Sequence, residues 1–170
     1  ASTPKEAQEV GLSIIHQELN LVPHLTVAEN IWLGREPVSG GFFTKPGEQV
    51  RRTRELLDRL GMHIDAKAVV STLSVAQQQM VEIAKALSFE STKVLIMDEP
   101  TAALNDAEVA QLHELIRRFV TPQTGVVYIS HRMAELKRIA DRITVIRDGH
   151  YIDTMNMADV SIEDVIAKMV

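Results

Sequence analysis

The chain has 170 residues, 45% hydrophobic and 24% charged, a balance that supports a folded core and excludes the low-hydrophobicity class of disordered proteins. A net charge of −5 offers no broad basic surface to a phosphate backbone, so no nucleic-acid partner is expected. No apolar run approaches the roughly 18–20 residues that cross a bilayer, residues 1–10 lack the basic and apolar regions of a signal peptide, and cysteine is absent; a cytoplasmic address is expected, with any membrane role exercised through a partner.

In chain order, residues 12–15 read as a first strand. Helical periodicity follows at about residues 27–33, 47–60 and 76–88. Residues 34–47 hold two prolines and four glycines and are expected as surface loop or short turns. The runs 94–97, 126–129 and 143–146 are short, almost wholly apolar and rich in β-branched residues, which predicts buried strands of a largely parallel sheet. Between the first two, Val109, Leu112, Ile116 and Phe119 recur at helical spacing behind an Asn105 and Glu108 capping pair, completing a β-α-β unit. A helical pattern over 133–140 leads into the third run. Asp148-Gly149, between residues 143–147 and 150–154, signals a two-residue hairpin turn. A closing helix is expected from the Ser161 cap through Ile162, Val165, Ile166 and Met169. The expected class is α/β: a core of mostly parallel sheet from residues 1–17 and 90–170, beside a helical subdomain of about 70 residues spanning 18–89.

Four short features carry chemistry. The apolar run 94–97 ends in Asp98-Glu99-Pro100, and ligands of open α/β sheets bind beyond the carboxyl ends of strands. Adjacent carboxylates there can divide labour: Asp98 holding Mg²⁺ directly or through water, Glu99 polarising a water for attack on phosphate. Leu73-Ser74-Val75-Ala76-Gln77 precedes an amphipathic helix, and Ser74 with Gln77 forms a capping-box pair that aims free N–H groups forward, the geometry of an anion site. His131 follows the run 126–129, placed to contact a terminal phosphate and orient the attacking water. Gln17 follows the first strand, suited to a Mg²⁺-bound water or the attacking water. Taken singly, each has a plain alternative: a polar strand end, a helix cap, a structural histidine, a surface amide.

In this order the four features closely resemble the ATP-binding cassette (ABC) ATPases. Gln17 looks like the Q-loop glutamine, residues 73–77 the signature motif, Asp98 and Glu99 the Walker B pair, residues 102–105 the D-loop, and His131 the switch histidine. Finer features, His16-Gln17-Glu18-Leu19-Asn20-Leu21, Thr26-Val27-Ala28-Glu29-Asn30 and Gln79-Met80-Val81-Glu82-Ile83-Ala84-Lys85-Ala86, resemble the first cassette of tandem-cassette monosaccharide importers. The resemblance implies ATP with Mg²⁺ as ligands, held between one cassette's phosphate loop and Walker B pair and a second cassette's signature. Asp98 and Gln17 would serve the metal, Glu99 would be the general base, His131 would sense the γ-phosphate, and Ser74, Val75, Ala76 and Gln77 would act across the interface. It also implies a site on the cytoplasmic face of the membrane, permease subunits docked on residues 17–30 with His24, Leu25 and Val27 as contacts, and a sugar-binding protein acting indirectly.

Three departures accompany it. Val75 and Ala76 stand where the signature usually has glycines, limiting how closely backbone can approach a phosphate. Asn105 replaces the usual D-loop aspartate. No Gly-x-x-x-x-Gly-Lys-Ser/Thr phosphate loop is present; in the family it lies before the Q-loop, so a truncation ahead of Ala1 is expected, with weak ATP binding and no hydrolysis by the isolated chain. The alternatives are a non-transport member of the same superfamily and an inactive interaction fragment.

Overall fold

The computed structural model describes residues 3–39 and 43–169. They form two compact units, Ala1–Ile129 and Ser130–Val170.

The first unit opens with α1 (Pro4–Glu9), a helix capped by Thr3 and too short for a periodicity signal. β1 (Leu12–Ile15) follows. Between it and β4 (Val94–Asp98) lie α2 (Val27–Ile31), β2 (Val38–Ser39), β3 (Phe43–Thr44), α3 (Pro46–Leu60), a 3-10 turn at Val70–Thr72 and α4 (Val75–Leu87). α5 (Asp106–Phe119) then leads to β5 (Gly125–Ile129). Strands β1, β4 and β5 make one parallel sheet in the order β1-β4-β5, with Ile15 opposite Met97 and Asp98 opposite Ile129. The expected β-α-β unit is therefore present. Part of the expected loop over 34–47 pairs instead as the short antiparallel ladder β2–β3; Gly40 and Gly41 lie outside the described residues.

The helical part is held by a common apolar core. Val27, Ile31, Val81 and Ile83 are all 0% exposed, each worth about 1.5–3 kcal/mol of burial. α2 buries Val27, Ala28 and Ile31 because the Thr26–Glu29 capping box sets its first turn with that face inward. Polar ties cross between helices: Trp32 Nε1 donates to Thr53 Oγ1 at 3.0 Å, and Gln49 Nε2 to the Ala28 carbonyl at 3.3 Å. α4 packs on β1. A buried relay joins the two: the Thr92 hydroxyl donates to the Ala86 carbonyl (3.1 Å), leaving its oxygen to accept from Ser13 (2.9 Å).

The two faces of the parallel sheet differ. Ser13, Ile15, Leu95 and Met97 are buried, whereas Ile14, Val127 and Ile129 on the opposite face are 50%, 49% and 47% exposed. β5 is thus less buried than its apolar sequence predicts, since among the described residues it is an edge strand with one covered face.

The second unit contains α6 (Met133–Ile139), β6 (Arg142–Arg147), β7 (His150–Asn156), a 3-10 turn at Met157–Asp159 and α7 (Ile162–Met169). Residues 143–146 do not join the parallel sheet as expected; β6 pairs antiparallel with β7. The reason lies in its alternation: Ile143 and Val145 are 8% and 4% exposed while Ile146 is 67% exposed, so one face is covered, by α7, and one is open. The hairpin turn forms as expected, with Asp148 and Gly149 both at positive φ (52° and 76°), the requirement of a type I′ turn. Ser161 caps α7 reciprocally with Asp164, both bonds 3.1 Å. Of that helix's apolar positions Val165 is 1% exposed, but Ile166 and Met169 stay half-exposed. Among the described residues no helix is long and apolar enough to cross a membrane.

Candidate functional site

The central strand β4 ends at Asp98, and the chain turns there. Glu99 takes a left-handed backbone (φ 48°), which costs a non-glycine residue about 1–2 kcal/mol. Its N–H still donates to the Ile129 carbonyl at 2.9 Å, extending the β4–β5 ladder by one bond. One carboxylate oxygen of Glu99, Oε2, is enclosed by protein, and Asp98 is half-buried. Beyond them Pro100 and Thr101 are buried, and bonds from Ala102 N to Glu99 O and from Leu104 N to Thr101 O wind the chain toward α5. Asn105 caps that helix. Its Oδ1 accepts from Ala107 N (3.0 Å) and Glu108 N (3.1 Å), while Glu108 accepts from Asn105 N (2.9 Å), so the amide fulfils the capping role without an aspartate's charge.

Gln17 leaves the sheet at the same end. It lies two residues past Ile15, Glu99 lies two past Met97, and Ile15 and Met97 are registered partners. Gln17 is exposed. The donor set offered at these adjacent strand ends, one carboxylate and one amide oxygen, suits Mg²⁺, which keeps several waters and uses one or two carboxylates with substrate phosphates. Among the described residues no group of three His, Asp or Glu side chains converges on a metal position, so a cation here would depend on such a hydrated mode.

Ser74 and Gln77 form the expected capping box at the start of α4. Ser74 Oγ accepts from Gln77 N at 3.2 Å, and Gln77 Oε1 accepts from Ser74 N at 3.0 Å. Gln78 Nε2 also donates to the Leu73 carbonyl (3.0 Å), fixing the approach to the helix. The first-turn N–H groups of Val75 and Ala76 have no carbonyl within the helix to bond, as at any helix start. Val75 projects outward at 51% exposure and Ala76 packs inward at 8%. Ser74 and Gln77 stand on the wall of an open cleft of about 740 Å³, shared with His63, Met80, Glu114 and Arg118. Asp98, Glu99 and Gln17 do not line it. His131 is exposed and belongs to the second unit, two residues after β5; Ser130 Oγ there accepts from Arg132 N at 3.0 Å.

Residues 17–30 form a braced loop running into α2. Asn30, fully buried, is its clamp: Oδ1 accepts from Val22 N (2.7 Å), and Nδ2 donates to the carbonyls of Val22 and Thr26 (both 3.0 Å). Val70 N and Ser71 N bond back to the Leu25 and Pro23 carbonyls. His24 is exposed and Leu25 half-buried. Val27, expected as a partner contact, is instead 0% exposed in the helical core, because it opens the inward face of α2.

Two residues of this region were not legible as site elements. Asn30 reads in sequence as one polar position of a helix; its clamp needs the loop folded back. Glu82 is the other, half-buried on α4, its carboxylate accepting the Asn20 N–H at 2.5 Å across 62 residues. Burial pushes its pKa up, against the lowering effects of the Asn20 N–H, Lys85 and His16. A lone acid among Val81, Ile83 and Ala84 was the only signal.

The chain is similar to known proteins over most of its length. Residues 2–102 match the ABC transporter family. A protein of Burkholderia cenocepacia (strain HI2424), provisionally named a ribose/galactose/methyl galactoside import ATP-binding protein, is 52% identical over 168 residues, 98% of this chain and 33% of that protein. A protein of Agrobacterium fabrum (strain C58) with a similar provisional name is 48% identical over 169 residues, again 33% of its length. The chain thus spans about a third of the curated relatives it matches. Among solved structures, a dimeric bacterial ABC transporter cassette superposes with a TM-score of 0.72 at 24% identity, over 90% of this chain and 66% of that one. An inward-facing ABC transporter, provisionally described as of metal-chelate type, does so at 0.76 and 20% identity, over 94% and 64%. With more than half of its residues matching the family and a fold shared with solved cassettes, the chain belongs to the ABC transporter family.

Proposed function

We propose that this chain is part of the first ATP-hydrolysing cassette of a tandem-cassette monosaccharide importer. The observation that carries the reading is the Asp98-Glu99 pair at the carboxyl end of β4, with Gln17 leaving the registered neighbouring strand beside it. Glu99 takes a proton from the water that attacks the γ-phosphate, Asp98 and Gln17 hold Mg²⁺, and His131 hydrogen-bonds the γ-phosphate. Mg²⁺ supplies charge neutralisation on the phosphates. Ser74, Val75, Ala76 and Gln77 face the nucleotide of the second cassette in the same polypeptide, which fits their position on a cleft that excludes Asp98 and Glu99. Residues 18–89 serve as the helical subdomain beside a core of residues 1–17 and 90–170. The braced loop within residues 17–30 docks permease subunits at the cytoplasmic face of the membrane, and a sugar-binding protein acts through them. The provisional names of the relatives support the sugar assignment.

The test is ATPase activity of the full-length parent with its membrane subunits and sugar-binding protein. We expect stimulation by a pentose or hexose, and a loss of about 10²–10⁴-fold on Glu99→Gln. Hydrolysis indifferent to every such sugar would remove the transport assignment; activity undiminished by Glu99→Gln would remove the base.

A second reading applies to the 170 residues by themselves. They contain no Gly-x-x-x-x-Gly-Lys-Ser/Thr, so we propose that alone they bind ATP weakly, do not hydrolyse it, and act as an interaction module. Steady-state hydrolysis by the isolated chain that disappears with Glu99→Gln would overturn this.

A further inference from the structure

α4 carries the Ser74–Gln77 capping box at its start and, eight residues on, Glu82. An α-helix rises 1.5 Å per residue, so the two lie about 12 Å apart along one rigid rod. The rod is fixed in the core by Val81 and Ile83, both 0% exposed, on either side of Glu82. At Glu82 it is tied to the other candidate site. The carboxylate accepts the N–H of Asn20, three residues after Gln17. Asn20 Nδ2 in turn donates to the Glu18 carbonyl at 3.3 Å, closing a turn over residues 18–20 directly after Gln17. A backbone N–H bonded to a carboxylate is a stronger and more directional tie than one between neutral groups.

We propose that Glu82 is a positioning residue that couples the segment directly following Gln17 to the signature helix, so that displacement of either is transmitted to the other. This rests on the reading of Gln17 and of Ser74 with Gln77 as parts of two nucleotide sites. Two further observations favour a coupling role over simple packing. Burial holds the carboxylate where its charge is disfavoured, although Lys85 and His16 stand near it; an apolar side chain would serve the helix face better at that position. The contact also joins segments 62 residues apart and engages the loop that leads directly to Asn30 and α2.

The experiment uses the full-length parent with its membrane partners. Glu82→Met keeps helix propensity and the aliphatic stem but removes the acceptor; Glu82→Gln keeps an acceptor oxygen and serves as the rescue. Amide hydrogen exchange reads the latch directly: Asn20 should exchange about tenfold faster in Glu82→Met and near the wild-type rate in Glu82→Gln. In the ATPase assay, Glu82→Met should lower the sugar-stimulated kcat by about fivefold or more, with KM for ATP within about twofold, and Glu82→Gln should restore most of it. Unchanged Asn20 exchange in Glu82→Met would overturn the contact. Faster exchange with wild-type stimulated kcat would overturn the coupling, as would a Glu82→Gln variant as impaired as Glu82→Met. A wild-type parent that ignores sugars would count against the transport reading alone, since the exchange comparison still decides the contact.

Discussion

Asn30 offers the sharpest test of the braced loop. Truncation to alanine removes four side-chain hydrogen bonds, one accepted from Val22 N and three donated to the carbonyls of Val22, Thr26 and, at 3.4 Å, Leu25. All three carbonyls keep another donor: Thr26 O accepts from Asn30 N at 2.9 Å, Val22 O from Leu25 N at 3.2 Å and Leu25 O from Val70 N at 3.0 Å. The Val22 N–H alone is orphaned, and Val22 is 37% exposed, so water can reach it. At about 1 kcal/mol per lost bond, with that partial rehydration, Asn30→Ala should cost about 2–3 kcal/mol. Asn30→Asp should cost more near neutral pH. It retains the acceptor for Val22 N but sets a buried carboxylate against three carbonyls, a loss of about 3 kcal/mol or greater that eases on acidification as the carboxyl regains a proton to donate. Trp32 is the single tryptophan, two residues from the clamp, so urea unfolding followed by its fluorescence reports on this region. The alanine variant should lower the midpoint by about 1 M for a slope of about 2 kcal/mol per M. A loss under about 1 kcal/mol for alanine, or aspartate as well tolerated as alanine, would refute the clamp and the amide orientation on which it depends.

Gln79 buries its Nε2 without a hydrogen-bond partner at 7% exposure, so Gln79→Met, of similar volume, should be neutral or raise stability by about 1 kcal/mol in the same assay. Gly11 has φ 91°, and a Cβ there would stand 2.6 Å from the Ser91 carbonyl oxygen; Gly11→Ala should therefore cost about 2 kcal/mol or more, read as a fall in the thermal midpoint. On α3, hydrogen bonds from Arg51 and then Arg52 hold the Glu48 carboxyl down at about 2. Because the folded value is depressed, the associated stability is present above the ordinary value of 4.5 and is lost as pH falls from there toward about 2. The wild type should lose urea resistance more steeply than Glu48→Gln across that window, and the difference should shrink in high salt, since the pair is at the surface.

Features settled within a few residues of chain could be read without coordinates. The capping boxes at Ser74, Asn105 and Ser161 each link residue i to i+3, and the Asp148-Gly149 turn needs only two positive φ values. The apolar strand ending in Asp98-Glu99 is equally local, and so was the order of motifs that identified the family. What a strand pairs with is not local. Residues 143–146 and 126–129 look alike in composition, yet one lies in an antiparallel hairpin and the other edges the parallel sheet, because the choice depends on which faces other elements cover. Burial of Val27, the Asn30 clamp and the Glu82 contact with Asn20 likewise arise only when distant segments meet. Sequence alone determined which polar residues stand at each strand end and helix start; tertiary structure decided which of those ends share an edge, since hydrogen bonds across 62 residues leave no period in the chain.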